Sequence, residues 1–465
     1  MIFTSVSFII FFVAVLTGSL IIQSFFSENI KRCFLLAASY FFYGWWDWRF
    51  CFLLLFVTFM SYITALYSRK KAAYITGIVI PLIVLGIFKY FNFFLDSIAY
   101  LSGHEISTLK IILPVGISFY TFQALSYVID VHRGNIQVER DFIRLALYIS
   151  FFPQLVAGPI VRASDFLPQL RESSRRITPS NFCAGIQLMA VGFFKKAVLA
   201  DHISVFVDDV FRVPVAFHWA TIILAVISYS MQIYFDFSGY SDIASGCAKC
   251  LGYDFRINFN LPYISQSISE FWRRWHISLS SWLKDYLYIP LGGNRKGRFR
   301  QLVNIMITMI LGGLWHGANW TFVFWGGLNG IALCCEKVFM KREHKSSIIL
   351  SLARIIAVFS FVSFTWIFFR AENFTSSWEV IRGIITLQNG IVQPFFWSFF
   401  ALVIMILSEL SAVIKSHRQN ISFAQGFYPV MNLNNISGLT AFFVFVGIIL
   451  GLAFTGEHPF IYFQF

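Results

Sequence analysis

The sequence predicts an all-α, polytopic membrane protein of about 10–11 transmembrane helices, with re-entrant and interfacial helices between them. Three observations carry this reading. Of the 465 residues, 57% are hydrophobic and only 13% are charged, against roughly 25% charged in soluble domains. No single soluble core hides that much apolar surface. Apolar runs of about 20 residues recur along the chain, each long enough to cross a bilayer. The basic residues behind the net charge of +13 fall in short loops between those runs, as cytoplasmic loops do. In a soluble protein the same charge would point to nucleic acid. Here it marks topology, and no nucleic-acid partner is expected.

Residues 2–26 form the first expected span. They lack a basic n-region and a small-residue cleavage site, so they read as a retained helix and not as a removed signal. Glu28, Lys31 and Arg32 mark a cytoplasmic loop. A short span at 33–43 ends in Gly44-Trp45-Trp46-Asp47-Trp48, an aromatic belt at the outer interface. Residues 50–67 return to Arg69, Lys70 and Lys71. Residues 73–91 cross outward, and 109–130 cross back to a basic loop with Arg133 and Arg140. Residues 145–160 are apolar but contain Pro153, Gly158 and Pro159, with arginines on both sides. They read as a re-entrant or interfacial segment, because broken backbone at membrane depth is tolerated only in a cavity wall or inside protein.

Residues 182–199 cross outward, interrupted by Lys195 and Lys196, and 219–250 return. Residues 262–300 are too polar to span and read as basic, aromatic interfacial helices. Residues 302–315 dip in and 319–333 come out. Spans at 348–369, 394–414 and 439–454 complete the set, which leaves the tail from Gly456 outside. Cys247 and Cys250 form a C-x-x-C without a second pair, read as small helix-facing residues in preference to a metal site. There is no metal-ligand constellation and no G-x-S-x-G nucleophile elbow.

The stretch from Phe271 to Trp325 holds the chemistry. It runs F-W-R-R-W-H-I-S-L-S-S-W-L-K-D-Y-L-Y-I-P-L-G-G-N-R-K-G, then an apolar run, then L-G-G-L-W-H-G-A-N-W. His316 lies in the apolar part between glycines, and a histidine at membrane depth reads as functional by default. Burial disfavours an imidazolium, so such a ring is a free base near neutral pH. The competing reading is a structural histidine at a helix end. His276 sits in a basic, aromatic segment that is also a normal membrane-surface anchor. In 219–250, Asp236 and Tyr240 share a helix face, as a helix–helix polar contact or as a cavity lining.

Together with M-I-F-T-S, Y-G-W-W-D-W-R-F, L-P-V-G-I-S-F-Y-T-F-Q, F-F-P-Q-L-V-A-G-P-I, Y-F-D-F-S-G-Y-S-D-I-A and the closing P-F-I-Y-F-Q-F, these blocks resemble the membrane-bound O-acyltransferase family. The likeness is strongest to the bacterial branch that O-acetylates alginate or peptidoglycan. It covers nearly the whole chain. It implies one membrane domain over 1–465 around a catalytic funnel. Its parts are N-terminal helices (1–135), a catalytic core with re-entrant and amphipathic segments (136–345), C-terminal helices (346–455) and an extracytoplasmic aromatic tail (456–465).

The resemblance implies that His316 is the catalytic histidine, with Trp315, Asn319 and Trp320 beside it. It gives His276 an active-site or donor-binding role; Trp272 and Arg273 beside it, the latter in a basic collar that could attract a phosphorylated donor, and the Asp236–Tyr240 face are the further candidates for substrate binding. It implies acetyl coenzyme A as acyl donor, no bound cofactor, a periplasmic or extracytoplasmic acetyltransferase partner, contact with membrane lipid, and a multi-pass protein of the bacterial cytoplasmic (inner) membrane. The tail around Tyr462 reads as an aromatic anchor on composition alone. The resemblance instead suggests that Tyr462 carries the acyl group as an ester. Two alternatives stay open: a D-alanyl transferase for teichoic acid, fed by a carrier-protein thioester, and a transporter, for which no inverted repeat is visible.

Overall fold

The computed structural model describes residues 1–104, 107–156, 158–172, 176–339, 347–419 and 431–456. The helices in chain order are α1 (Val6–Phe25), α2 (Glu28–Gly44), α3 (Arg49–Leu66), α4 (Lys71–Leu85), α5 (Phe91–Ser102), α6 (Ile117–His132), α7 (Phe142–Ser150), α8 (Phe152–Leu155), α9 (Ala163–Arg171) and α10 (Pro179–Phe193). They continue with α11 (Asp201–Arg212), α12 (Trp219–Cys250), α13 (Ile268–Arg274), α14 (Ile277–Leu283), α15 (Arg298–His316), α16 (Trp320–Phe339), α17 (Ile348–Arg370), α18 (Phe374–Ile385), α19 (Phe396–Gln419) and α20 (Ile436–Leu452). Among the described residues the strand-like pairing is one isolated bridge, Phe217 to Ile391. The chain is therefore all-α.

Among the described residues seven helical stretches are long and apolar enough to cross a membrane: Val6–Phe25, Arg49–Leu66, Lys71–Ser102, Pro179–Arg212, Trp219–Cys250, Trp320–Phe339 and Ile348–Arg370. Phe396–Ser408 and Ile436–Leu452 are shorter apolar helices. The protein is a multi-pass membrane protein. The further runs read from the sequence take other forms. The run at 33–43 lies inside the 17-residue α2, which begins with Glu28 and carries Lys31 and Arg32. The run at 109–130 becomes helical only at Ile117, after Gly116 at φ 75°. Every residue of α6 from Ile117 to Asp130 is buried, so its apolar side chains face protein. Residues 145–160, expected to be re-entrant or interfacial, form two pieces of nine and four residues, α7 and α8, and neither is long enough to cross.

Burial separates lipid-facing from internal helices. In Lys71–Ser102 only 11% of the apolar window is buried, whereas in α12 it is 78%. At 1.5 Å per residue, the 32 residues of α12 extend roughly 48 Å. The chain clusters into two compact units, Met1–Ala190 with Tyr240–Arg256, and Val191–Gly239 with Ile257–Phe465. In the first, Phe3, Phe8, Phe42 and Phe152 form an aromatic core, and Tyr240 stacks on Phe3 at 4.4 Å. Cys247 and Cys250 pack there as small buried side chains, the Cys250 thiol donating to the Phe182 carbonyl.

In the second unit, α15 and α16 form a close hairpin. A Cβ on Gly313 would meet the Phe322 carbonyl and the Gly326 Cα, and one on Gly326 would meet the Met309 carbonyl. These glycines let the two backbones touch. The path from α10 to α11 passes through a π-helical turn, Phe194–Ala200, a feature that often marks a local functional or packing constraint. It carries Lys196, whose buried ammonium contacts Asp201 and Asp236 at 2.7 Å each.

Candidate active site

Two histidines meet in the second unit, brought there by different local devices. His316 is the last residue of α15. Gly317 continues in extended backbone, and Asn319 starts α16 by accepting the Thr321 amide at 3.0 Å. The glycine-mediated hairpin packing presses the end of α15 against α16. The His316 ring therefore sits edge-on to Trp325 (5.2 Å, 90°) and close to Trp315 (5.1 Å) and Phe369 (5.2 Å). Phe369 comes from α17, which packs against α16. His316 is buried.

His276 lies between α13 and α14, with left-handed backbone (φ 41°, ψ 56°). Such a conformation is uncommon for a residue with a side chain, though histidine tolerates it better than most. It is held by the extended segment before it. The Ile277 amide donates to the Asn258 carbonyl at 2.8 Å, and the Asn260 amide donates to the Arg274 carbonyl at 2.9 Å. The His276 Nδ1 lies 3.2 Å from Asn258 Oδ1. The ring is 1% exposed, edge-on to Phe237 at 4.7 Å and near Trp315 at 6.0 Å. His276 lies outside the seven candidate spans. Burial lowers its pKa from 6.5 to about 3, which keeps the imidazole neutral.

A cavity of about 530 Å³ opens beside His316. Trp272, Leu279, Leu283, Ile305 and Trp325 make its wall apolar, and Lys284, Arg295 and Lys337 are among its lining residues. The segment 269–301 and the α15–α16 hairpin thus wall one space. This volume suits a narrow organic arm, and the lysines and arginine suit an anionic head.

The remaining candidates divide. Trp315 is buried against both histidines, and Trp272 lines the cavity with its ring edge-on to Trp325 at 5.6 Å. Asn319 uses its carbonyl oxygen on the helix cap and its amide on the Glu372 carbonyl at 2.8 Å. Trp320 is 53% exposed and Arg273 is exposed, and neither lines the cavity. Asp236 contacts Lys196, while Tyr240 packs on Phe3. Tyr462 lies outside the described residues. The sequence reading missed Asn258, Ser278, Trp325, Phe369 and Lys196. Asn258 stands 18 positions before His276 with no local pattern to tie them. Trp325 had a usable signal, since Gly313 and Gly326 imply a hairpin that folds α16 back over His316.

A profile of the membrane-bound O-acyltransferase family matches residues 137–378. A probable alginate O-acetylase of Pseudomonas aeruginosa is 41% identical over 408 residues, covering 83% of this chain and 75% of that protein. A peptidoglycan O-acetyltransferase of Helicobacter pylori is 35% identical over 410 residues, covering 80% and 77%. A teichoic acid D-alanyltransferase of Bacillus subtilis is 27% identical over 278 residues, covering 56% and 69%.

Proposed function

The chain belongs to the membrane-bound O-acyltransferase family, and from that premise we propose that it moves an acetyl group from a cytoplasmic thioester donor to an extracytoplasmic polysaccharide. It is an O-acyltransferase held in a membrane by several helices. The O-acetylating relatives cover more of the chain at higher identity than the D-alanyl relative does. This supports acetyl as the group and alginate or peptidoglycan as the acceptor class. The membrane is the bacterial cytoplasmic one, where cytoplasmic donor and exported polymer are both within reach.

The observation that carries the reading is His316, which lines an apolar cavity with basic lining residues and has the buried His276 ring 6.5 Å behind it. His316 acts as general base. An acceptor hydroxyl attacks the thioester carbonyl, its proton passes to the imidazole, and the tetrahedral intermediate collapses to expel a thiolate that takes the proton back. The aromatic wall keeps water from the thioester. Acetyl coenzyme A fits the cavity in kind: a thin pantetheine arm along apolar residues and phosphates toward Lys284, Arg295 and Lys337. The described residues form no large domain outside the helices to grip a polymer, which supports a separate extracytoplasmic acetyltransferase for the last step. Tyr462 is the proposed intermediate carrier between them.

The test is purified protein in lipid with radiolabelled acetyl coenzyme A. Release of free thiol together with labelled acetyl ester supports the reading. Inertness toward acetyl coenzyme A, together with activity on a D-alanyl carrier-protein thioester, overturns it.

A further inference from the structure

The hydrogen-bond pattern around His276 fixes which of its nitrogens bears the proton. The Ser278 backbone amide, which can only donate, lies 3.1 Å from Asn258 Oδ1. The Ser278 hydroxyl lies 2.8 Å from the same atom. The Asn258 side-chain atom at that point is therefore oxygen and not nitrogen, which settles the amide orientation by the network. His276 Nδ1 approaches that oxygen at 3.2 Å. Two lone pairs would repel, so Nδ1 must carry hydrogen and donate. The 3.4 Å approach of the Ser278 hydroxyl to Nδ1 fits as well, with the hydroxyl oxygen turned toward that N–H. Burial keeps the ring neutral. Its other nitrogen, Nε2, is then a bare lone pair, and among the described residues it has no hydrogen-bond partner.

Asn258 also holds the backbone. Its carbonyl accepts the Ile277 amide, immediately after the left-handed His276. Strained backbone persists where surrounding structure over-determines it, and it collects at functional sites. One residue thus fixes both the turn that presents the ring and the tautomer of the ring. Asn258 is itself buried, at 4% exposure.

We propose that Asn258 is a positioning residue for acyl transfer, which with Ser278 locks His276 in the Nδ1–H tautomer so that its lone pair stays on Nε2. The proposal rests on the O-acyltransferase reading only for its consequence in rate. With the opposite tautomer, a nitrogen that should accept a proton or hydrogen bond would present N–H instead. The His316 ring lies 6.5 Å away, near enough for the His276 tautomer to bear on the group proposed as general base.

The test uses the full chain, with histidine labelled in nitrogen-15 and the protein in lipid nanodiscs. A His276→Gln variant identifies the His276 signals. The expected spectrum shows a protonated Nδ1 and a bare Nε2. Asn258→Asp keeps an acceptor oxygen and should keep the tautomer and most of the rate. Asn258→Leu removes the acceptor, and should mix the tautomers and lower kcat by about 100-fold with little change in KM for the donor. Ser278→Ala keeps the backbone donor and should leave the tautomer unchanged. A wild-type signal from the Nε2–H tautomer overturns the proposal. So does a folded Asn258→Leu protein with normal tautomer and rate. If Asn258→Leu does not fold, the wild-type and Asn258→Asp spectra still decide. If the spectra are as expected and no acyl transfer occurs, the tautomer lock stands and the activity reading fails.

Discussion

The imidazole rings of His276 and His316 lie 6.5 Å apart, centroid to centroid, at 60° to each other. They reach that relation from a strained turn and a helix end, 40 positions apart in sequence. Replacing His316 with alanine should lower acyl transfer by about 10²–10⁴-fold, the contribution of a positioned proton-transfer group. Helix insertion should persist, because the α15–α16 contact rests on Gly313 and Gly326 and not on the ring. The check is the acetylation rate per milligram of protein that still elutes as one species. Near-normal rate would remove His316 from the mechanism. His276→Ala should also lose rate strongly.

The hairpin that presents His316 depends on close backbone contact. A Cβ at Gly326 would collide with the Met309 carbonyl, while one at Gly327 would meet nothing within 4 Å. Gly326→Ala should therefore cost about 1–3 kcal/mol of stability, as overpacking does. Gly327→Ala should be neutral. The thermal midpoints of the two variants in one detergent measure the difference, and equal midpoints would contradict the packing argument.

The apolar blocks and the W-H-G segment made the membrane class and His316 legible in the sequence. Hydropathy reports how apolar a stretch is, but not whether it faces lipid or protein. In α6 the apolar residues Ile117–Asp130 are buried in protein, which hydropathy alone does not reveal. Asn258 was invisible for another reason. Its role follows from two short segments, 258–260 and 274–278, paired by hydrogen bonds that no periodicity encodes. The bonds of the Asn319 side chain were likewise hidden: its cap on α16 and its bond to the Glu372 carbonyl follow from the fold and not from its place beside W-H-G.

Tyr462→Phe separates two roles of the aromatic tail, because it keeps the ring and removes only the hydroxyl. As carrier, the tyrosine hydroxyl takes the acetyl group from the thioester, releasing thiol, and later passes it to a sugar hydroxyl. With a pKa of about 10, a phenol leaves more readily than a sugar alkoxide, so the second step runs forward. Tyr462→Phe should therefore abolish polymer acetylation and leave no hydroxylamine-sensitive acetyl on the protein. Normal polymer acetylation by this variant would reduce the tail to an anchor.

Burial of His276 also predicts a pH dependence of stability. Its pKa is about 3 in the folded protein and 6.5 ordinarily. Between those values the unfolded chain binds a proton that the folded chain does not. The group's contribution is fully present above pH 6.5 and is lost progressively as pH falls from there toward 3. His276→Gln should make the stability of the protein less dependent on pH over that acidic range, measured as unfolding midpoints at several pH values. An unchanged slope would mean that the ring is already charged. The same depression means that His276 does not produce an acid limb near pH 6 in the rate profile.

Lys196 tests whether the π-helical turn is structural. Its side chain is 2% exposed and touches Asp201 and Asp236 at 2.7 Å each, with those carboxylates 10% and 4% exposed. Removing the cation from a buried cluster leaves negative charge without its counter-ion, which costs about 3–5 kcal/mol. Lys196→Met should therefore lower the thermal midpoint sharply. Replacing all three residues with apolar ones of similar size should recover much of the loss, since the desolvation of the ions then disappears along with their attraction. Acyl transfer by the recovered triple variant then decides what the cluster is for. Activity near wild type assigns the cluster to folding alone. A stable but inactive triple variant means that the ions serve the reaction, and that Asp236 belongs to the machinery through Lys196 and not as a cavity wall.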